Sequence, residues 1–181
     1  MTTSHSHRIH VAPAVPADRP ALEQLWTMFR HDMSAFTGVL PDRHGRFRQE
    51  RLDSALQNAD WAGHMLRLGG SPVGLAIVRG LPGPERIISS FFLVHGARRA
   101  GHGRAAVRAI TRALPGRWAV AFQDVNAPAG CFWQAVASDA DSGWRIDHEE
   151  VPGRPDLPPD SWVRFTVRPS PITVRPIPEA R

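Results

Sequence analysis

IISSFFLVHGARRAGHGRAAVRAITRAL, residues 87–114, joins an apolar run to a short basic turn with spaced glycines and then to a helical repeat. The run from Arg86 to Val94 reads as a strand, and its strongly apolar character suggests a central position buried on both faces. Beyond the turn, Ala106, Val107, Ile110 and Leu114 recur at helical spacing, and Pro115-Gly116 ends the helix. A buried strand that feeds a glycine-rich turn and a helix start makes an anion site, because free backbone N–H groups converge there and the helix dipole adds favourable potential. Gly101 and Gly103 would let a phosphate approach the backbone closely, while Arg98, Arg99 and Arg104 add positive charge. A phosphate-bearing ligand is therefore expected. The alternative is a solvated loop whose glycines serve turn geometry alone.

Working outward, the flanking sequence supplies scaffold. Ile9 to Ala12 makes a short strand, Asp18 is placed to cap a helix over 18–31, and Leu22, Leu25, Trp26 and Phe29 mark that helix's apolar face. The segment 31–45 breaks the period and reads as loop, and a second helix follows at 47–58. Residues 64–68 and 73–78 form a hairpin around Gly69-Gly70-Ser71-Pro72. Downstream of the central helix, 118–123, 144–150 and 161–167 read as strands, the last two joined by a proline-rich connection.

Composition bounds the possibilities. With 181 residues and 42% hydrophobic content, the chain suits one domain, 9–167, between a polar, disordered 1–8 and a Pro-rich tail, 168–181. His5, His7 and His10 suit a frayed terminus better than a metal site, and no metal is expected. The single Cys131 excludes an intramolecular disulfide framework. No apolar run is long enough for a membrane span and the start has no apolar signal core, so a soluble cytoplasmic protein with no membrane partner is expected. The pI of about 11.2 exaggerates a net charge of only +5, because the sequence contains no lysine and no tyrosine and little besides histidine and Cys131 titrates before arginine. With no aromatic-interleaved basic stripe, nucleic-acid binding is disfavoured as the main role.

Three phosphate motifs compete for the turn. A Walker loop requires a lysine, which this chain lacks. Gly101 to Ala106 formally fits the dinucleotide pattern G-x-G-x-x-G/A, with Asp124 about 20 residues on, but six residues separate Val94 from Gly101 where that fold turns tightly, and too little sequence follows. The third pattern, Q/R-x-x-G-x-G/A, is matched by Arg98-Arg99-Ala100-Gly101-His102-Gly103, with Leu93 at the usual aliphatic position before it. Downstream, Asn126-Ala127-Pro128-Ala129-Gly130-Cys131-Phe132-Trp133 is similar to an N-x-x-A-x-x-x-Y helix start. On these residues, and on the order of elements over 9–167, the chain resembles the GNAT superfamily of acyl-CoA-dependent N-acyltransferases.

The resemblance implies an α/β fold whose mixed sheet splays open between its fourth and fifth strands, here about 86–94 and 118–123, with flanking helices. It implies acetyl-CoA as acyl donor, its pyrophosphate held by residues 98–104, its pantetheine arm against the open strand edge, and Asn126, Phe132 and Trp133 lining the other side. A backbone N–H near Leu93 or Val94, at a bulge, would meet the thioester oxygen. The acceptor would be a primary amine, on a small molecule, that attacks the thioester directly in a ternary complex; a homodimer is left open. Two departures from the family stand out: Trp133 replaces the tyrosine proposed as general acid, and Ser90 replaces the glutamate that serves as base. His95, Asp124 and Asp32 remain as candidate catalytic groups, with Asp124 equally able to cap the following helix. Asp32, Ser34 and Phe36 would suit an amine in the 32–45 loop. The competing readings are an acyl-CoA binder without transferase activity and a nucleotide- or nucleic-acid-binding module.

Overall fold

The computed structural model describes residues 8–169. In chain order the elements are β1 (Ile9–Pro13), α1 (Arg19–Thr37), α2 (Glu50–Gln57), β2 (Trp61–Leu68), β3 (Ser71–Arg79), β4 (Glu85–Leu93), α3 (His102–Ala113), β5 (Gly116–Phe122), α4 (Ala127–Ala140), β6 (Arg145–Glu149) and β7 (Asp160–Val167). The strands make one seven-stranded sheet in the order β1-β2-β3-β4-β5-β7-β6. Every neighbouring pair is antiparallel except β4 with β5.

That parallel pair is short. It joins only Glu85, Arg86 and Ile87 to Arg117, Trp118 and Ala119. Beyond Ile87, β4 pairs with β3 alone, while Val120, Ala121 and Phe122 pair with β7 alone. The sheet therefore splays between its fourth and fifth strands, as the resemblance implies. Two backbone edges face a gap in which their polar groups have no ladder partner, and such groups need water or a ligand.

Alternation along β3 sends Ala76 and Val78 to one face and Leu75 and Ile77 to the other. The first face packs under α3 and α4, through Val107, Ile110, Trp133, Val136 and Ala137. The second packs under α1 and α2, through Leu22, Leu25, Trp26, Leu52 and Ala55. The unbroken burial predicted for the fourth strand is found instead in β3, buried from Val73 to Val78; in β4 buried Ile88, Ser90 and Phe92 alternate with half-buried neighbours. The physical reason is the splay, which uncovers one flank of β4.

Near the N-terminus the prediction of a loop from His31 is corrected. Helix α1 continues to Thr37, carried by Phe29, Met33 and Phe36 at helical spacing, and ends on Gly38, whose φ of 65° is the left-handed cap that glycine favours. Asp32 therefore sits on a helix, not in a loop. Asp18 does not cap α1 with its side chain: its Oδ2 accepts from the Val15 N–H at 3.0 Å and its Oδ1 from Arg67 at 2.6 Å. The second helix starts at Glu50 rather than 47, because Arg48 is held in the preceding loop, its carbonyl accepting from the indole N–H of Trp26 at 2.8 Å. His5 and His7 and most of the tail lie outside the described residues. None of the described helices is long and apolar enough to cross a membrane.

His64 on β2 is half-buried, and its Nδ1 has no partner. Burial lowers its pKa below the usual 6.5, partly offset by the Ala76 backbone. Above about pH 6.5 both folded and unfolded chains keep it neutral; below that the unfolded chain takes up the proton first, so stability falls until the pH passes the folded value. A His64→Gln protein is expected to lose less of its urea midpoint than the wild type between about pH 7 and pH 5. Equal losses in the two proteins would exclude His64 as the cause.

Candidate functional site

The gap between β4 and β5 is lined from both faces of the sheet. On the α3/α4 side Phe91 stacks on Phe132 with ring centroids 5.6 Å apart, and Trp133 meets Phe91 edge-on at 5.7 Å and Phe132 at 4.8 Å. Asn126 starts α4, its side-chain oxygen accepting from the Ala129 N–H at 3.3 Å. Asn126 rather than Asp124 therefore caps α4, and Asp124 accepts from the Ser161 hydroxyl at 2.6 Å, across from the end of β5. Gly130 lets α4 lie against β5, since a Cβ there would be 2.9 Å from the Phe122 ring.

At the end of β4 the backbone divides its hydrogen bonds between two edges. The Val94 N–H donates to Val73 at 2.8 Å and so points to β3. N–H groups alternate edges along an extended strand, so the Leu93 N–H faces the gap. The Leu93 carbonyl points the same way and accepts from Arg98 Nε at 2.7 Å. Val94 is thus not free to donate to a ligand, and the irregularity in the β3/β4 ladder lies at Ser89, not beside Leu93.

The chain then passes through a single 3₁₀ turn, His95–Ala97, into the glycine turn. Arg99 takes a φ of 66° and Gly101 a φ of 79°, and α3 begins at His102 with no side chain capping its start. Among the described residues no acceptor meets the N–H groups of Arg99, Ala100, Gly101, His102, Gly103 and Arg104. His102 Nδ1 is turned away to the Ala97 carbonyl at 3.1 Å.

The arginines of the turn are committed differently from the sequence expectation. Arg98 leans over the Phe92 ring at 5.5 Å and reaches Asp32 at 2.6 Å and His95 Nε2 at 3.2 Å. Arg104 ties α3 to α4 through Asp139, with Nε at 2.9 Å, and that guanidinium holds the Asp139 carboxyl below its usual range. The turn's attraction for anions therefore comes from its backbone, with Arg99 the turn arginine that has no carboxylate partner among the described residues.

Of the three candidate catalytic groups, two are brought together. Asp32 Oδ2 lies 3.4 Å from His95 Nε2, with Arg98 between α1 and the end of β4. Beside them a cavity of about 670 Å³ is walled by Met28, Val39, Leu40, Phe47, Phe92 and Val94 and bordered by Asp32, Ser34 and His95. Its loop wall is ordered by Asp42, whose Oδ1 accepts from the N–H groups of His44 at 2.8 Å and Arg46 at 2.9 Å. Those bonds hold the Asp42 carboxyl below its ordinary pKa. Ser90 is buried and donates to the Ser89 carbonyl at 2.8 Å, and the opened part of β4, from Ile88 to Leu93, carries no carboxylate.

The arrangement of strands and helices around this opened mixed sheet superposes on a set of solved structures. An acetyltransferase from Thermus thermophilus superposes with a TM-score of 0.66 at 22% identity, over 89% of this chain and 99% of that one. The chain has the GNAT acetyltransferase fold. The PaiA N-acetyltransferase of Thermoplasma acidophilum, solved in complex with coenzyme A, gives a TM-score of 0.61 at 10% identity over 87% of this chain and 98% of that one. An aminoglycoside acetyltransferase from an uncultured soil metagenomic sample, solved with sisomicin, gives 0.58 at 17% identity over 79% and 95%. No protein-family sequence model and no curated protein sequence matches the chain. At these identities the shared property is the GNAT fold, and chemistry must be argued from the site.

Proposed function

We propose that the protein transfers an acetyl group from acetyl-CoA to a primary amine of a small molecule. The observation that carries this reading is the open β4 edge ending at a turn whose six N–H groups, Arg99 to Arg104, have no acceptor among the described residues. Such a cradle fits a pyrophosphate, and an unpaired strand edge fits the amides of a pantetheine arm. Acetyl-CoA would supply a thioester carbonyl. The Leu93 N–H, aimed into the gap, is placed to donate to that carbonyl oxygen as it gains charge. Phe91, Phe132 and Trp133 give the same space an apolar wall.

Balance of the transfer requires one C–N bond made, one C–S bond broken, a proton lost by the amine and one gained by the sulfur. A thiol of pKa about 8.5 leaves without a dedicated acid, consistent with Trp133 standing where the resemblance places a tyrosine. With Ser90 committed to a carbonyl, amine deprotonation falls to Asp32, His95 or Asp124, directly or through water. Asp32→Asn is expected to lower kcat by about a hundredfold if the Asp32–His95 pair takes the proton, while stability changes by less than about 1 kcal/mol because the Asp32–Arg98 pair is about a third exposed. An equal loss in Asp124→Asn with none in Asp32→Asn would move the role to Asp124.

The deciding assay is release of CoA from acetyl-CoA with a panel of primary amines. Turnover on any of them supports the transferase. Tight acetyl-CoA binding with no turnover on the whole panel would favour a binder without transferase activity, the second reading, which the absent glutamate and tyrosine motivate.

A further inference from the structure

The cavity beside Asp32 has walls whose chemistry selects among amines. Leu40 is 82% exposed, Met28 45% and Val39 40%, and all three border this cavity together with Phe47, Phe92 and Val94. Single exposed apolar side chains are ordinary, but three gathered around one cavity mark a surface suited to an apolar ligand. The backbone holds them there. Helix α1 carries Met28 and ends on Gly38, and the Val39 N–H donates to Thr37 Oγ1 at 3.4 Å. Beyond Leu40 the Asp42 N–H donates to the Arg46 carbonyl at 2.9 Å, which closes the loop before Phe47, and the Arg48 carbonyl is tied to Trp26 at 2.8 Å. Leu40 thus sits in a short segment fixed at both ends and directed away from the core.

The polar groups of the cavity are few and largely committed. Thr27 Oγ1 donates to the Glu23 carbonyl at 2.9 Å and Ser34 Oγ to the His31 carbonyl at 2.7 Å, so both hydroxyls turn their protons back into α1. Among the described residues Asp32 is the one carboxylate of the lining. Its Oδ2 is met by Arg98 at 2.6 Å, whereas its Oδ1 takes no hydrogen bond among the described residues and lies 4.0 Å from His31 Nδ1. That leaves one acceptor for one amine, set among apolar walls. A polyhydroxylated amine would bury hydroxyls against Leu40 and Phe47 without partners, and a diamine would bring a second charge with no second carboxylate in the lining to meet it.

We propose that this cavity binds the body of the acceptor, and that the acceptor is a monoamine carried on an apolar group, an arylalkylamine or alkylamine. The proposal rests on the acetyl-transfer reading, which places the reacting amine at the end of β4. Cavity and strand end are joined in two ways. Phe92 and Val94, the neighbours of Leu93 on either side, both line the cavity. The Arg98 guanidinium donates to the Leu93 carbonyl at 2.7 Å and to Asp32 at 2.6 Å, so the carboxylate and the strand end are one guanidinium apart. An amine at Asp32 Oδ1 with its apolar body along Val39, Leu40 and Phe47 therefore stands beside the end of the opened edge.

The test is calorimetric titration of the protein, free and loaded with CoA, with phenethylamine, hexylamine, ethanolamine, glucosamine and 1,6-diaminohexane. Phenethylamine and hexylamine are expected to bind the CoA-loaded protein at least about tenfold more tightly than ethanolamine or glucosamine, with the diamine weaker than hexylamine. Leu40→Asn and Met28→Gln should each lower the preference for phenethylamine over ethanolamine by about threefold. Both side chains are exposed, so thermal unfolding of each variant should stay within about 2 °C of the wild type. Equal binding of all five amines, a preference unchanged in both variants, or no binding of any amine would overturn the proposal. So would a dimer that Leu40→Asn dissociates with amine preference unchanged, which would give the face to a second copy of the chain. Acetyl-CoA turnover as rapid with glucosamine as with phenethylamine would keep the transferase and overturn the cavity's role. A Leu40-dependent preference for apolar amines in a protein that binds no CoA would instead sink the acetyl-transfer reading and leave the apolar-amine cavity standing.

Discussion

A Gly103→Trp protein is expected to lose at least about a hundredfold in affinity for acetyl-CoA, corresponding to about 2.7 kcal/mol. The reason is space, not backbone conformation. A Cβ at 103 would already lie 3.1 Å from Phe132 Cε2, 3.3 Å from its Cζ and 3.6 Å from Leu93 Cδ1. An indole added there must push Phe132 off Phe91 or fill the mouth of the gap, where the proposed pyrophosphate and pantetheine meet. Overpacking of this kind costs about 1–3 kcal/mol by itself, so thermal unfolding is needed to show that the variant is folded. Gly103→Ala supplies the graded control, because a ring can give by a few tenths of an ångström. Calorimetry that returned wild-type affinity for a folded Gly103→Trp protein would remove the turn from the proposed site.

Gly74→Val is expected to have the largest effect on stability, about 3 kcal/mol or more, which for a chain of this size lowers the melting temperature by about 6–12 °C. A Cβ at this position in β3 falls on the carbonyl oxygen of Phe92 and within 2.8 Å of Leu93 Cδ2. Neither is the free end of a flexible chain: one is backbone of the neighbouring strand and the other is a buried core side chain. Relief requires β4 to move just where the Leu93 N–H faces the gap. A fall of less than about 2 °C in scanning calorimetry would show that β4 yields easily and that its end is not rigidly held.

The legible part of the sequence was the part written in neighbouring residues. The strand, turn and helix of 87–114 follow from local pattern, and the helix start at Asn126 and the splay between the fourth and fifth strands follow from the resemblance that two spaced motifs carry; that Asn126 rather than Asp124 caps the helix came from the structure. The rest depends on contacts between distant residues. Arg98 and Asp32 are 66 positions apart, and nothing near either shows that the guanidinium turns from the phosphate turn to a carboxylate on α1. Arg51 and Ser89, 38 apart, meet because α2 lies beside β4. Nor does an apolar run say which flank of a strand an opened sheet leaves uncovered, so the burial expected of β4 was found in β3. The extension of α1 did have a signal, the spacing of Phe29, Met33 and Phe36, masked by Gly38 and by the exposure of Phe36.

The aromatic wall has an optical consequence. The chain contains six tryptophans and no tyrosine, so emission excited at the indole absorption edge carries no tyrosine component. Trp26 and Trp118 are sealed in the two cores, whereas Trp133 touches the rings that border the gap. A group that enters the space between β4 and β5 is expected to alter the surroundings of Trp133, so indole emission offers an unlabelled readout for occupancy of the gap.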